Sequence, residues 1–405
     1  MSAAPVLRRA AIVAPVRTPV GAFGGMLRPL TADQLAVHVI RAVLQRSALP
    51  AQRLDEVIVA QSYASSEAPC LGRYAALAAD LPLEVPGYTV DRRCGSGLQA
   101  VIEASMMVQT GAADVVLVVG VESMSNIEYY SNDMRWGARA GSVTLHDRLQ
   151  RGRERSQPAE RFGQISGMPE TAENLAREFD VSRAEADLFA ARSHQRAAAA
   201  WADGRFGQEV APIEVLQKKG PPLVCSRDEG IREDCTPESL AKLRPLFADG
   251  TVTAGNASQQ NDAAAACLVV AADRLRDLSL EPMGYLVGWA ASGCHPATMG
   301  IGPVPAVNKL MTRVGLSLDR MDLIELNEAF ASQGLACLRQ LGVADDADFV
   351  NPHGGAIALG HPLGMSGARL TLTAVHGLHK RGGKRALATM CVGVGQGVSL
   401  ALEKV

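Results

Sequence analysis

The chain carries the same structural phrase twice, and that repeat restricts it to folds built from two matching halves. The first copy reads Ser96-Gly97-LQAVIEASMMVQT-Gly111 and then AADVVLVV-Gly120-VES. The second reads Ser366-Gly367-ARLTLTAVHGLHK-Arg381 and then GGKRALATM-Cys391-VGVGQG, at an offset of 270 residues. Each copy opens on Ser-Gly, runs on with helical apolar period, breaks, and ends in a stretch apolar enough for a buried strand. Cys94 stands just before the first predicted helix, and Cys391 stands at the tip of the second predicted strand. A duplicated fold that delivers one thiol from each half to a shared pocket predicts two-thiol chemistry.

The repeat extends upstream. Leu35-AVHVIRAVLQRSALPAQRL-Asp55-EVIVAQ pairs with Pro303-VPAVNKLMTRVGLSLDRM-Asp322-LIELNE, each an amphipathic helix, a short polar turn and a strand. The strands Glu56–Ala60 and Leu323–Leu326 read as continuously apolar, as expected when both faces of a sheet are covered. Strands alternating with helices place the chain in the α/β class. The two halves lie at 1–125 together with 246–272, and at 273–405. An insertion occupies 126–245. It opens with the irregular NIEYYSNDMRWGARAG and shows helical period across Glu170–Phe206. Between Arg135 and Arg161 seven arginines face three acids. That excess suits a solvated surface or a subunit contact, and it also suits attraction of an anionic, phosphate-bearing ligand. The LVVAA run within Thr251–Ala272 reads as the last strand of the first half.

Bulk properties exclude several classes. A length of 405 residues fits two or three domains. A net charge of −2 gives no overall field toward nucleic acid, and 4% aromatic residues carry no RNA-binding signature. Eight cysteines without a CxxC motif predict reduced thiols in a cytoplasmic protein. Arg8 and Arg9 lead straight into the strand-like AIVAPV, which does not read as a signal peptide. The apolar runs Val115–Val121 and Ala263–Ala272 are too short to span a bilayer. No cluster has metal-ligand spacing, and GAFGG precedes no phosphate-loop pattern.

Four further motifs point to a family. VDRRCGSG around Cys94, NEAFA at Asn327–Ala331, NPHGGAIALGHPLGMSG at Asn351–Gly367 and CVGVGQG at Cys391–Gly397 together resemble the thiolases, the acetyl-CoA acetyltransferases and 3-ketoacyl-CoA thiolases. GTVTAGNAS at Gly250–Ser258 and MPETAENLA at Met168–Ala176 also look like theirs. The resemblance covers nearly the whole chain in the family's order. It implies duplicated α/β halves layered helix–sheet–helix–sheet–helix, with an inserted loop domain for CoA binding and subunit contact. It also implies a reversible CoA-dependent Claisen condensation or thiolytic cleavage of a 3-ketoacyl-CoA, as in fatty acid metabolism and β-oxidation. Coenzyme A would be a substrate, no cofactor would be needed, and the protein would be a homodimer or homotetramer.

Such chemistry needs a covalent nucleophile, a base for it, an acid/base for the α-carbon, and donors to two oxygens. Cys94 fits the nucleophile from its position alone. It precedes a helix whose N-terminal N–H groups are expected to lower its thiol pKa. His361, in the Gly-His-Pro loop, is poised as a base near neutral pH. By resemblance Cys391 moves the α-proton, the N–H groups of Gly393 and Cys94 form one oxyanion hole, and His361 with Asn327 forms the other. Asn327 and Glu328 also read as polar caps of a strand end. Ser258 resembles the family's contact to pantetheine. Met168, Phe247, Met299, Ala329 and Phe330 align with its apolar pocket. His353 stands where the family usually has the second Asn of NxNGG, which puts the hydrogen bonding of that loop in question. Gly167 replaces a His that acetoacetyl-CoA-type members carry, and SGMPETAEN is closer to thiolases that cleave 3-oxoadipyl-CoA. Two alternatives share the fold: a decarboxylating 3-ketoacyl synthase, which lacks the second thiol and NEAF, and an inactive acyl-CoA- or lipid-binding relative, which need not keep all three of Cys94, His361 and Cys391.

Overall fold

The structure, a computed structural model, describes residues 7–405. Both predicted repeats form the expected elements. The helix Ser96–Thr110 leads to the strand Val115–Ser123, and the helix Leu363–Arg381 leads to the strand Arg385–Val392. Ala32–Ser47 precedes Glu56–Ala60 as Pro303–Val314 precedes Leu323–Leu326. The first half's sheet runs Ala10–Arg17, Asn261–Ala271, Val115–Ser123, Glu56–Ala60, Gly87–Val90. The second runs Pro282–Gly293, Gln396–Lys404, Arg385–Val392, Leu323–Leu326. A fifth partner in the second half shrinks to one parallel bridge, Ile324 to Val350. The halves join because Ala10–Arg17 pairs with both Asn261–Ala271 and Pro282–Gly293, giving one continuous path of nine strands, with the short strand Gly21–Ala22 pairing Asn261–Ala271 off that path as the tenth.

Side-chain alternation along the strands builds five layers. Leu117 and Val119 point to an outer core with Val39, Ile40 and Val43 of the helix Ala32–Ser47. Val116 and Val118 point inward to Leu98, Val101 and Ile102, and meet Leu370 and Ala374 of the opposite half there. Ala386, Ala388 and Met390 enter the same central core from the second sheet. Leu387, Ala401 and Leu310 form the outer core of the second half. The order is therefore helix, sheet, helix, sheet, helix.

The central layer holds two helices at backbone contact. A methyl group added at Gly97 would stand 2.5 Å from the Ala368 backbone nitrogen, and one added at Gly367 would overlap the Leu98 nitrogen. Only glycine permits that approach, so the Ser-Gly opening of each repeat is a packing requirement. Gly364 lies as close to the Val121 carbonyl. This contact carries the loop before Leu363–Arg381 onto the first half.

One expected strand differs. Leu323–Leu326 is buried throughout but is not apolar throughout: Glu325 is fully buried, with Arg369 Nη1 at 3.3 Å. Burial pushes its carboxyl up to about 8. The inserted segment forms the helices Met168–Glu178 and Arg183–Ala202 in the predicted stretch. They pack on the second half: Phe189 covers Gly334, and Ser193 Oγ donates to Glu328 at 2.6 Å.

His353 is only 5% exposed, with Nε2 3.4 Å from Arg205 Nη1 and its ring edge-on to Phe206. It does not disturb its loop, because Asn351 supplies the hydrogen bonds. Asn351 Oδ1 accepts from Leu326 N, and Nδ2 donates to the Leu326 carbonyl and to Glu328.

Two outcomes follow. Gly→Ala inside a helix normally gains about 1 kcal/mol. Here Gly367→Ala reverses that sign, because the methyl meets backbone that cannot yield, and it costs about 1–3 kcal/mol or more; thermal denaturation shows the lowered Tm. Burial pushes the His353 imidazole down to about 4. The unfolded chain therefore binds a proton below its ordinary value of about 6.5 that the folded chain refuses, and stability falls with pH between those limits. Urea melts at pH 7 and pH 5 show a smaller loss for His353→Asn than for the parent.

Candidate active site

A cavity of about 230 Å³ opens where the halves meet, lined by Cys94, His361, Cys391 and Gly393. Cys94 arrives from the bend after Gly87–Val90, with Arg93 at φ +47° and Gly95 capping the next helix. Cys391 arrives near the end of Arg385–Val392, paired with Gly397 across the hairpin. Val394 holds φ +69° in that hairpin's turn, a costly conformation for a β-branched residue. His361 arrives on the loop before Leu363–Arg381. Its N–H donates to Asn261 Oδ1 at 2.9 Å, and Glu122 holds the same loop by accepting from Gly364 N at 2.9 Å and from Ser62 N.

Hydrogen bonding sets the imidazole's tautomer. Ser366 Oγ lies 3.1 Å from the Pro362 carbonyl and 2.7 Å from His361 Nδ1. The hydroxyl has one proton to donate, and a carbonyl can only accept. Nδ1 therefore carries the ring proton and donates to Ser366, leaving the Nε2 lone pair free. Nε2 is buried and has no hydrogen-bond partner among the described residues. Burial pushes the imidazole down to about 3, with the positive Arg369 and Arg153 acting in the same direction. It is a neutral acceptor at any physiological pH.

Cys94 and His361 depart from the sequence expectation: the thiol is raised rather than lowered, and the imidazole is held neutral rather than poised near neutral pH. Burial pushes the Cys94 thiol up, overriding Arg93, the N–H groups of Gly393 and of Cys94 itself, and Arg153. Cys94 rests as a thiol, so its activation requires a base. Cys391 is fully buried and raised well above the ordinary thiol value by burial, with Cys94 adding to the effect. The three reacting groups thus rest uncharged: two thiols and one neutral imidazole.

The remaining predicted residues divide. Ser258, Met168, Met299, Ala329 and Phe330 all line the cavity. Ser258 N donates to the Ala329 carbonyl at 2.9 Å, clasping the two loops together. Phe247 does not line it. Its carbonyl accepts from Gly250 N in a turn, and that turn presents Leu246 to the cavity instead. Asn327 sits behind the lining, fully buried, with its N–H bonded to the Thr389 carbonyl of the Cys391 strand. Neither end of its side chain has a partner among the described residues. Glu328 is the polar cap, accepting from Ser193, Asn351 and Ile357 N. Sequence reasoning missed Tyr63, Arg93 and Arg153, which form one wall. Among the described residues, no group of three or more His, Cys, Asp or Glu is arranged to hold a metal ion, and no helix is long and apolar enough to cross a membrane.

Comparison with known proteins agrees with this geometry. The family model "Thiolase, N-terminal domain" matches residues 10–273, and "Thiolase, C-terminal domain" matches 280–404. The chain belongs to the thiolase family, whose members are acyltransferases. It is 47% identical over 401 residues to a beta-ketoadipyl-CoA thiolase of Pseudomonas putida, covering 96% of this chain and 98% of that protein. It is 44% identical over 406 residues to a 3-oxoadipyl-CoA/3-oxo-5,6-dehydrosuberyl-CoA thiolase of Escherichia coli, covering 98% and 100%. Among solved structures, a Bacillus anthracis acetyl-CoA acetyltransferase aligns with TM-score 0.95 at 39% identity, covering 99% and 100%. Human mitochondrial 3-ketoacyl-CoA thiolase in complex with CoA aligns with TM-score 0.92 at 41% identity, covering 99% of each chain.

Ser366→Ala removes the group that accepts from Nδ1 while keeping the Cβ and the helix. Loss of such a second contact to a catalytic ring lowers the rate of Cys94 acylation by about tenfold or more, measured by rapid quench with acetyl-CoA.

Proposed function

We propose that this thiolase cleaves 3-oxoadipyl-CoA with CoA, giving acetyl-CoA and succinyl-CoA, and that the reaction is reversible. The observation that carries the mechanism is one cavity lined by two thiols and an imidazole with a free Nε2. His361 Nε2 takes the Cys94 proton as sulfur attacks the C3 ketone. The C2–C3 bond then breaks, and the departing acetyl-CoA enolate takes the Cys391 proton. Acyl-Cys94 remains. CoA's thiol gives its proton to the Cys391 thiolate and attacks the acyl carbon, and Cys94 leaves as a thiolate that regains its proton from His361. The N–H groups of Cys94 and Gly393 would hold one oxyanion; His361 with Asn327 would serve the other, and the orphaned Asn327 side chain supports that role. Donors of this kind contribute about 3–4 kcal/mol each to the barrier.

The names of the relatives at 44–47% identity support the acyl chain. A second reading, acetoacetyl-CoA thiolysis, is favoured by a relative at 42% identity named acetyl-CoA acetyltransferase. Ser258 at the cavity wall supports a pantetheine contact, and Arg151 and Arg155, beside a neighbouring open cavity, support binding of CoA phosphates. The sheet edge Gly87–Val90, with exposed Tyr74, Leu77 and Leu83 near it, supports pairing with a second copy as a dimer or tetramer. Eight unpaired thiols fit a reducing, cytoplasmic compartment.

Active-site substitution separates the thiols. Cys94→Ala abolishes both half-reactions. Cys391→Ala still forms acyl-Cys94, seen as a mass increase of about 42 Da with acetyl-CoA as expected for a covalent intermediate, but does not turn over carbon–carbon bonds. Full turnover by Cys391→Ala would exclude the assigned role.

A further inference from the structure

The cavity lining carries charge that the mechanism does not use. Arg93 and Arg153 both line it, and none of the described lining residues is Asp or Glu. Arg93 is held in place: Nη1 donates to the Ser62 carbonyl at 3.1 Å, and the guanidinium lies 4.4 Å over the Tyr63 ring. Arg153, on the short helix Arg148–Glu154, is partly buried, and its side chain makes no hydrogen bond or ion pair among the described residues. Burial pushes its guanidinium down, and the like charge of Arg93 adds to that. Both cations act on the Cys94 thiol, and Arg153 acts on His361. Two arginines facing a small cavity whose lining holds no acid favour an anionic ligand.

The anion's distance from the sulfur decides which one it is. In CoA about thirteen bonds separate the thiol from the nearest phosphorus, roughly 15 Å at the reach of an extended chain. That places the phosphates far from cations beside Cys94. In a succinyl group on Cys94 the free carboxylate lies four bonds from sulfur, about 5 Å away on the same scale. Gly167 lies beside Arg153. A methyl group there would stand 3.8 Å from Arg153 Cβ, and its φ of +147° disfavours any side chain. We propose that Arg153, assisted by Arg93, binds the distal carboxylate of a dicarboxylic 3-ketoacyl-CoA and so selects that acyl chain. A guanidinium fork matches a carboxylate bidentately, and the apolar remainder of the cavity fixes chain length. This inference rests on the 3-oxoadipyl-CoA reading above and assigns it to specific residues.

The test compares kcat/KM for 3-oxoadipyl-CoA with that for 3-oxohexanoyl-CoA, which has the same carbon chain ending in a methyl group. Loss of folding or of general activity cancels in the ratio. The parent enzyme prefers the carboxylate, Arg153→Met reduces the ratio by about 30-fold or more, and Arg153→Lys retains part of it. Arg93→Met lowers the ratio less. A parent that discriminates while Arg153→Met keeps the full ratio would overturn the role of Arg153 and leave the substrate reading standing. Equal loss on both substrates would assign Arg153 to the reactive thiol instead, and also overturns it. A parent ratio near one would overturn the substrate reading and this inference with it.

Discussion

Backbone contact between Gly97 and Gly367 is the constraint on which the rest of the structure depends. Two helices from different halves can meet this closely only where neither has a Cβ. The contact fixes the first turn of each helix. Cys94 lies just before one first turn, and His361 lies on the loop that opens the other. The proposed nucleophile and its proposed base are therefore placed by the same packing event, with Gly364 against the Val121 carbonyl and Glu122 bonded to Gly364 N as secondary ties. Cys391 needs no such contact, because its strand's register with Gln396–Lys404 sets its height in the second sheet.

The electrostatics follow from the same burial. A charged thiolate or imidazolium is unfavourable in this desolvated site, so its three reacting groups rest neutral. Charge appears only when substrate brings an oxygen that the N–H groups can stabilise. In the proposed mechanism, proton movement between Cys94 and His361 is tied to bond formation, and a neutral resting thiol is a poor nucleophile toward adventitious electrophiles. Ser366 maintains this state by fixing which imidazole nitrogen holds the proton.

Much of this was legible in the sequence, for a physical reason. The duplication shows because helix and strand periods repeat at a constant offset, and the site shows because glycines and polar residues interrupt otherwise apolar runs. Other features were hidden. The burial of Glu325 is not readable from its strand, because its partner Arg369 lies forty-four positions away and only folding joins them. Leu246 takes the place expected for Phe247 because a tight turn displaces the lining by one residue. Arg153 was lost among the neighbouring arginines of the insertion. Seven similar charges in one stretch give no sign of which one turns inward, and only the packing of the short helix Arg148–Glu154 decides it.

The central claim is that a thiol from each half acts on one thioester. Proton exchange at the methyl group of acetyl-CoA in D2O, followed by NMR, tests it most directly, since only the second thiol is assigned to that carbon. The account predicts deuterium incorporation by the parent enzyme and none above background by Cys391→Ala acetylated at Cys94. Exchange by that variant at the parental rate would contradict it.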